Sequence, residues 1–131
     1  MKNNDATHNR PDGERTIEAP YVVTNIEERI TELKDEQTWD KKDRNAITLF
    51  KTQGVTIVLV ALHDEVTMSD IEVNGVASLQ VIEGKVNVST ESDAFELCED
   101  KMAVIQPNIV HSIYALKESV ILMTIYKNTQ N

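Results

Sequence analysis

The sequence contains one cysteine and few aromatic residues. Cys98 has no second cysteine with which to form an internal disulfide, and no Cys-rich metal motif is present. A reducing, cytoplasmic compartment fits this composition. Aromatic residues make up 5% of the 131 residues, so the core must be built largely from Val, Ile and Leu, which favours β-structure.

Long apolar runs and an excess of basic charge are also missing. No segment approaches the apolar length that crosses a bilayer, and the first 20 residues hold no apolar stretch of the signal-peptide kind. The chain has 13 Lys and Arg against 22 Asp and Glu, which gives a net charge of −9. Such a surface repels phosphate backbones and anionic lipids, so we expect neither nucleic acid nor a membrane as a partner.

The length is that of a single domain. Residues 1–19 are polar, contain Pro11 and Gly13, and offer almost nothing to bury. We therefore predict a flexible N-terminal arm over 1–19 and one globular domain over 20–131.

One helix is predicted near the start of this domain. Thr24 can cap its backbone, with Glu27 reaching back in a capping box, and the helix runs to about Lys34. A single apolar stripe at helical spacing predicts that it lies on a sheet; the stripe consists of Ile26, Ile30 and Leu33. In the polar stretch that follows, we expect Trp39 to plug the junction between helix and sheet.

The rest of the chain predicts β-strands. The segments are short, rich in β-branched residues and separated by Gly, Asn, Asp and Pro turns, which is typical of an all-β sandwich or barrel. The predicted strands are 46–51, 55–63, 66–73, 76–83, 85–90, 94–97, 102–105, 110–116 and 120–126.

Two of these strands are apolar on both faces. In the segments 55–62 and 120–125, both odd and even positions are mostly apolar, so the face that points away from the core is apolar too. This outer face must be covered by another part of the protein. The predicted helix or a second subunit could supply it. Because two such strands exceed what one short helix hides easily, we predict a homodimer.

Two segments resemble cupin motifs. Residues 78–88 are similar to the strand, glycine turn and strand in the middle of cupin domains, with Gly84 at the turn, and residues 101–112 are similar to the second cupin motif. The resemblance covers roughly residues 46–126 and implies a double-stranded β-helix, the jelly-roll barrel. Asp100 and Asn108 stand at second-motif glycines, and both residue types tolerate a positive φ.

The resemblance also implies a degenerate metal site. Cupins that hold a metal bring two His, a Glu and a further His together inside the barrel, but three of the four matching positions here are apolar. Counting from Gly84 places Ile71 and Val73 at the paired His and Ala77 at the Glu; only His111 is retained. We therefore expect no metal cofactor and a ligand pocket lined by His111, Ile71, Val73 and Ala77.

His111 alternates with Ile109, Ile113 and Ala115, so we expect these four side chains to point into the barrel together. A displaced metal site around His63 is not expected, because Asp70 and Glu72 face the solvent by the same alternation.

Three functions remain open. The leading hypothesis is a metal-free barrel that binds a small apolar molecule or serves as a structural dimer. Alternatively, the chain is an enzyme of the oxygenase or isomerase type, using an unconventional metal site or His111, with Tyr114 or another barrel residue, as acid and base. A third hypothesis is a regulatory or sensor module that acts through a protein partner.

Overall fold

The structure, a computed structural model, describes residues 19–127, in which two short helices precede nine strands. The helices are α1 (Ile26–Asp35) and α2 (Gln37–Lys41). The strands are β1 (Arg44–Lys51), β2 (Val55–Leu62), β3 (Thr67–Ile71), β4 (Gly75–Glu83), β5 (Lys85–Thr90), β6 (Ala94–Cys98), β7 (Met102–Ile105), β8 (His111–Ala115) and β9 (Ser119–Lys127). Of the predicted arm, only Ala19 lies within the described residues.

The strands form two antiparallel sheets with jelly-roll connectivity. The five-stranded sheet, called sheet A here, has the order β1-β2-β9-β4-β7. The four-stranded sheet, sheet B, has the order β3-β8-β5-β6. The predicted all-β jelly roll is confirmed. No helix within residues 19–127 is long and apolar enough to cross a membrane.

The main core lies between the two sheets. Alternate residues of each strand point inward, so that β2 and β9 of sheet A face β5 and β8 of sheet B across a layer of aliphatic side chains. The most completely buried members of this core are Leu62, Leu79, Val81, Val86, Val88, Ile113 and Ile121.

A second core lies on the outer face of sheet A, beneath the helices. Ile30 and Leu33 of α1 and Trp39 of α2 pack there against β1, β2 and β9. The sheet residues in this cluster are Ile47, Leu59, Ala61 and Val120. The predicted apolar stripe of the helix and the placement of Trp39 at the junction are therefore confirmed.

The start of α1 differs from the prediction. The N-cap is Asn25 rather than Thr24, and its Oδ1 accepts a hydrogen bond of 3.0 Å from the backbone N–H of Glu28. Two adjacent residues can each cap a helix, and the side chain with the better geometry decides the start. Helix α2 was not predicted, because its five residues carry one apolar side chain and no periodicity.

Strand β3 is shorter than the predicted 66–73. Its pairing with β8 shifts register between Met68 and Ile71, and Asp70 has a φ of 52° at that irregularity. Asp100 and Asn108 adopt the positive φ values expected of them, 71° and 62°. Glu65 also has a positive φ, of 69°.

Candidate functional site

The barrel has two ends, which its topology distinguishes clearly. Gly84 alone joins β4 to β5, so the end of β4 and the start of β5 lie together. We call this the Gly84 end. The opposite end, where β2 and β8 begin and β4 begins beside the end of β9, is the His111 end.

Hydrogen bonds close the Gly84 end. Ser119 is 1% exposed; its hydroxyl donates to the carbonyl of Lys117 at 2.7 Å and accepts from the N–H of Lys85 at 3.1 Å. The N–H of Gly84 donates to Glu99 Oε2 at 3.1 Å, and the N–H of Leu116 donates to the carbonyl of Lys85 at 2.9 Å. This end is therefore a structural corner.

An ion-pair network ties α1 to the same corner. Lys34 Nζ lies 2.8 Å from Glu118 Oε2 and 3.2 Å from Glu83 Oε1. Burial by itself lowers the pKa of Lys34, but the hydrogen bonds to Glu118 and Glu83 outweigh it, and the pKa is raised. The lysine thus stays charged where it holds the helix against the sheet.

At the His111 end, the inward-facing residues form one row on each sheet. Inward positions follow from the alternation that places their strand neighbours in the core. The row on sheet A is mostly apolar and consists of Thr56, Ile125, Ala77 and Ile105. The row on sheet B consists of Ile71, His111 and Thr90.

His111 is 2% exposed, and its two ring nitrogens differ. Nδ1 lies 2.9 Å from the carbonyl oxygen of Ile109. Because a carbonyl only accepts, Nδ1 carries the proton, and in the neutral ring Nε2 is left as an acceptor. This Nε2 is buried and has no hydrogen-bond partner among the described residues. His111 therefore presents an unpaired acceptor to the inside of the protein.

Thr56 provides a second unpaired polar atom at this end. Its Oγ1 is buried without a hydrogen-bond partner within residues 19–127. The side chain shares the inner face of β2 with Val58 and Val60, both of which pack in the main core. Sequence reasoning missed this residue, although Thr56 is the one polar side chain in β2.

The structure brings most of the predicted pocket residues to this end. Ala77 is buried, Ile71 is half-buried and pairs with His111 across β3 and β8, and Val73 follows the end of β3. The carbonyl of Val73 accepts a hydrogen bond of 2.8 Å from the N–H of Asn108, which holds the two loops together.

Two predictions about the neighbours of His111 are wrong. Ile109 is 43% exposed, because it precedes β8 and strand alternation does not extend to it. Tyr114 cannot act with His111 as acid and base, because residues 111, 113 and 115 face the core and Tyr114 points away from it. Ile113 and Ala115 are buried with His111, as predicted.

A divalent metal does not fit the residues around His111. Cupin metal sites need several imidazole and carboxylate ligands, and here Ile71 and Ala77 supply hydrocarbon at the matching positions. Across residues 19–127, no group of three or more His, Cys, Asp and Glu side chains could hold an ion. One unpaired imidazole nitrogen is a weak metal site, but it is a good hydrogen-bond acceptor.

His63, which ends the long apolar segment, has a structural partner instead. Its ring stacks on Trp39 with the centroids 3.5 Å apart. Its Nε2 lies 2.7 Å from the carbonyl oxygen of Trp39, so Nε2 carries a proton and donates. Asp70 and Glu72 are exposed, as expected.

The comparisons with known proteins establish the fold. No protein-family model matches the chain, and no curated protein sequence matches it. A cupin superfamily protein from Desulfitobacterium hafniense is similar with a TM-score of 0.63 and 15% identity, over 65% of this chain and 78% of that one. The chain has a cupin fold.

Other similar structures span different functions. A conserved protein of unknown function from Streptococcus pyogenes matches with a TM-score of 0.64 and 18% identity, over 88% of this chain and 95% of that one. A variant of salicylate 1,2-dioxygenase from Pseudoaminobacter salicylatoxidans matches with a TM-score of 0.74 and 14% identity. That match covers 86% of this chain but 37% of the dioxygenase. At these identities the likeness concerns the fold alone.

Proposed function

We propose that this protein is a metal-free cupin-type barrel that binds a small, largely apolar molecule at the His111 end. A hydroxyl or N–H group of the ligand donates to Nε2 of His111, and the apolar side chains of the two rows contact the rest of the molecule. The observation that carries this proposal is the buried, unpaired acceptor on His111.

The energetic argument is that burying such an atom without a partner is costly. A buried polar group that makes no hydrogen bond costs about 1–3 kcal/mol, and a barrel with only a structural role has no need to carry that cost. A ligand that donates a hydrogen bond to Nε2 of His111 removes this cost. An apolar wall with few polar groups that fix orientation is typical of small-molecule sites.

His111, rather than Thr56, narrows the class of ligand. The Thr56 hydroxyl both donates and accepts, so it can bind either kind of polar atom, whereas the neutral His111 ring with Nδ1 engaged offers only an acceptor. The ligand therefore needs at least one donor, together with a compact apolar body. A barrel of about eight strands has room for one small molecule at most.

The test uses phenol and anisole, two compact aromatic probes that differ in their ability to donate a hydrogen bond. Phenol has a hydroxyl donor, and anisole replaces it with a methyl ether. We expect phenol to shift the backbone amide NMR signals of residues at the His111 end, in a saturable manner, with an affinity about tenfold or more above that of anisole. The His111→Leu variant should lose this preference.

The matched control is Tyr114→Phe, on the same strand. It removes a hydroxyl that points away from the core, so the preference for phenol should persist. Equal binding of phenol and anisole by the unaltered protein, or an unchanged preference in His111→Leu, would contradict the proposal.

A further inference from the structure

The two unpaired polar atoms at the His111 end belong to opposite sheets. Thr56 lies on β2 of sheet A, where it pairs with Ile125 of β9. His111 lies on β8 of sheet B, where it pairs with Ile71 of β3. Two sheets that pack face to face lie about 10 Å apart, with the side chains of both inner faces between them. The Thr56 hydroxyl and the His111 ring therefore enter the same interior from two different sides.

These two atoms are chemically complementary, yet they do not bond to each other. The Thr56 hydroxyl can donate, and Nε2 of His111 accepts because Nδ1 carries the proton of the neutral ring. Both atoms are buried, and neither has a hydrogen-bond partner among residues 19–127. Because β2 and β8 are both interior strands of their sheets, joining the two atoms directly would require the sheets to shift.

The third polar side chain in the two inward-facing rows, Thr90, is already hydrogen-bonded. It pairs with His111 across β5 and β8, but its Oγ1 accepts from the N–H of Asp93 at 3.2 Å and from that of Ser92 at 3.4 Å. Thr90 therefore serves its own turn. Within the two rows, Thr56 and His111 are left as the side chains whose buried polar atoms a ligand can satisfy.

We infer that the ligand of this site carries two polar groups, one bound by each sheet. A donor binds Nε2 of His111, and a second group, which either donates or accepts, binds the Thr56 hydroxyl. This inference rests on the proposed function, because it names the class of ligand for the same site. The ligand is a compact molecule with an apolar body and two hydroxyl or amino groups, of the benzenediol kind.

The reason for the second group is that a ligand with one polar group satisfies only half of the site. Phenol pairs with His111 and leaves the Thr56 hydroxyl buried among apolar atoms, where a missing hydrogen bond weakens the complex. A second hydroxyl on the ring removes that penalty, provided that its position on the ring matches the separation of the two protein atoms.

Benzenediols and methylphenols test the inference in NMR titrations of the full chain in anaerobic buffer. Catechol, resorcinol and hydroquinone carry the second hydroxyl at the ortho, meta and para positions, and each is compared with the methylphenol that has a methyl group there. The measured quantity is the ratio of the diol affinity to the methylphenol affinity. We expect this ratio to fall about fivefold or more in Thr56→Val for at least one isomer. Comparing ratios between proteins cancels the cost of taking the second hydroxyl out of water.

Two further variants serve as controls. Thr56→Ser keeps the hydroxyl and should keep most of the ratio, whereas Thr56→Ala lacks the hydroxyl and should lower the ratio as Thr56→Val does. Thr124→Val makes the same chemical change on the outer side of sheet A, because its neighbour Met123 faces the core. The ratio should be unchanged in Thr124→Val.

A ratio that Thr56→Val leaves unchanged for all three isomers would overturn the inference, as would an equal fall in Thr124→Val. The preference for phenol over anisole, measured on the same proteins, separates this failure from that of the proposed function. That preference depends on His111 and should persist in Thr56→Val. If it persists while the diol ratio does not respond to Thr56, the two-group ligand alone is wrong. If the unaltered protein shows no preference for phenol, both proposals are wrong.

Discussion

The two ends of this barrel treat buried polar groups in opposite ways. At the Gly84 end, the buried hydroxyl of Ser119 both donates and accepts, and Gly84 and Leu116 also use their backbone N–H groups. At the His111 end, Nε2 of His111 and Oγ1 of Thr56 are buried without partners among the described residues. The buried polar groups at the Gly84 end are hydrogen-bonded, whereas these two atoms at the His111 end are not.

This difference separates structural polar residues from functional ones. Satisfied buried groups rigidify a corner, and removing one of them leaves its partners unpaired. Unsatisfied groups lower stability in the free protein and become useful only when something binds them. Substitutions at the two ends should therefore change stability in opposite directions.

The largest effect is expected at Gly84 itself. Its φ of 95° is strained for any side chain, and a Cβ there would collide with the Ser119 side chain and the carbonyl of Glu118. Gly84→Ala should lower the free energy of unfolding by about 2–5 kcal/mol, measured by urea denaturation. Gly54→Ala is the control, because a Cβ at Gly54 meets nothing within 4 Å. Similar losses in both variants would contradict the assignment of the corner.

Removing the satisfied hydroxyl should be the next most damaging change. Ser119→Ala leaves the N–H of Lys85 and the carbonyl of Lys117 without their buried partner. We expect a loss of about 1–3 kcal/mol in the free energy of unfolding. A neutral result in chemical denaturation would mean that water replaces the hydroxyl and that the corner is not closed as described.

The ion pair at this corner should contribute less. Lys34→Met keeps the aliphatic stem but removes the charge between Glu83 and Glu118, both of which are about half exposed, so we expect a loss of about 0.5–1 kcal/mol. The folded-state pKa of Lys34 is raised above its ordinary value of 10.5. The contribution is therefore present at neutral pH and disappears as the pH rises through the folded-state pKa.

This pH dependence is checked by measuring the free energy of unfolding of the unaltered protein and of Lys34→Met, each at neutral pH and in alkaline solution. The difference in the free energy of unfolding between the two proteins should shrink as the pH rises above 10.5. A difference that stays constant with pH would show that the charge does not contribute.

At the opposite end, removing a polar atom should cost nothing. Thr56→Val is nearly isosteric and deletes a buried hydroxyl that has no partner among the described residues. We expect the free energy of unfolding to stay the same or to rise by up to about 1 kcal/mol. A loss comparable to that of Ser119→Ala would remove the contrast between the two ends.

Much of the fold could be predicted from the sequence, because turn residues and β-branched runs are local signals. All nine strands were predicted, and the bounds of β5 and β7 match the structure. The errors arise where local signals compete. Thr24 and Asn25 both suit an N-cap, and the positive φ of Asp70 interrupts a strand whose apolar alternation continues past it.

The candidate site was only partly predictable. Burial of His111, Ala77 and Ile113 follows from strand alternation, which a sequence displays directly. The tautomer of His111 cannot be predicted from strand alternation, because it depends on the carbonyl of Ile109 in the preceding loop. The unpaired state of the Thr56 hydroxyl cannot be predicted either. The sequence does not show whether a threonine in an apolar strand has a hydrogen-bond partner, because that depends on its neighbours in space.

The most direct test of the proposed site is a long-range ¹H–¹⁵N NMR spectrum of the His111 ring, recorded at a pH where the ring is neutral, with and without phenol. The account predicts that Nδ1 is protonated, that Nε2 is an unprotonated acceptor in the free protein, and that the Nε2 resonance moves when phenol binds. A proton on Nε2, or an Nε2 resonance that phenol does not move, would contradict it.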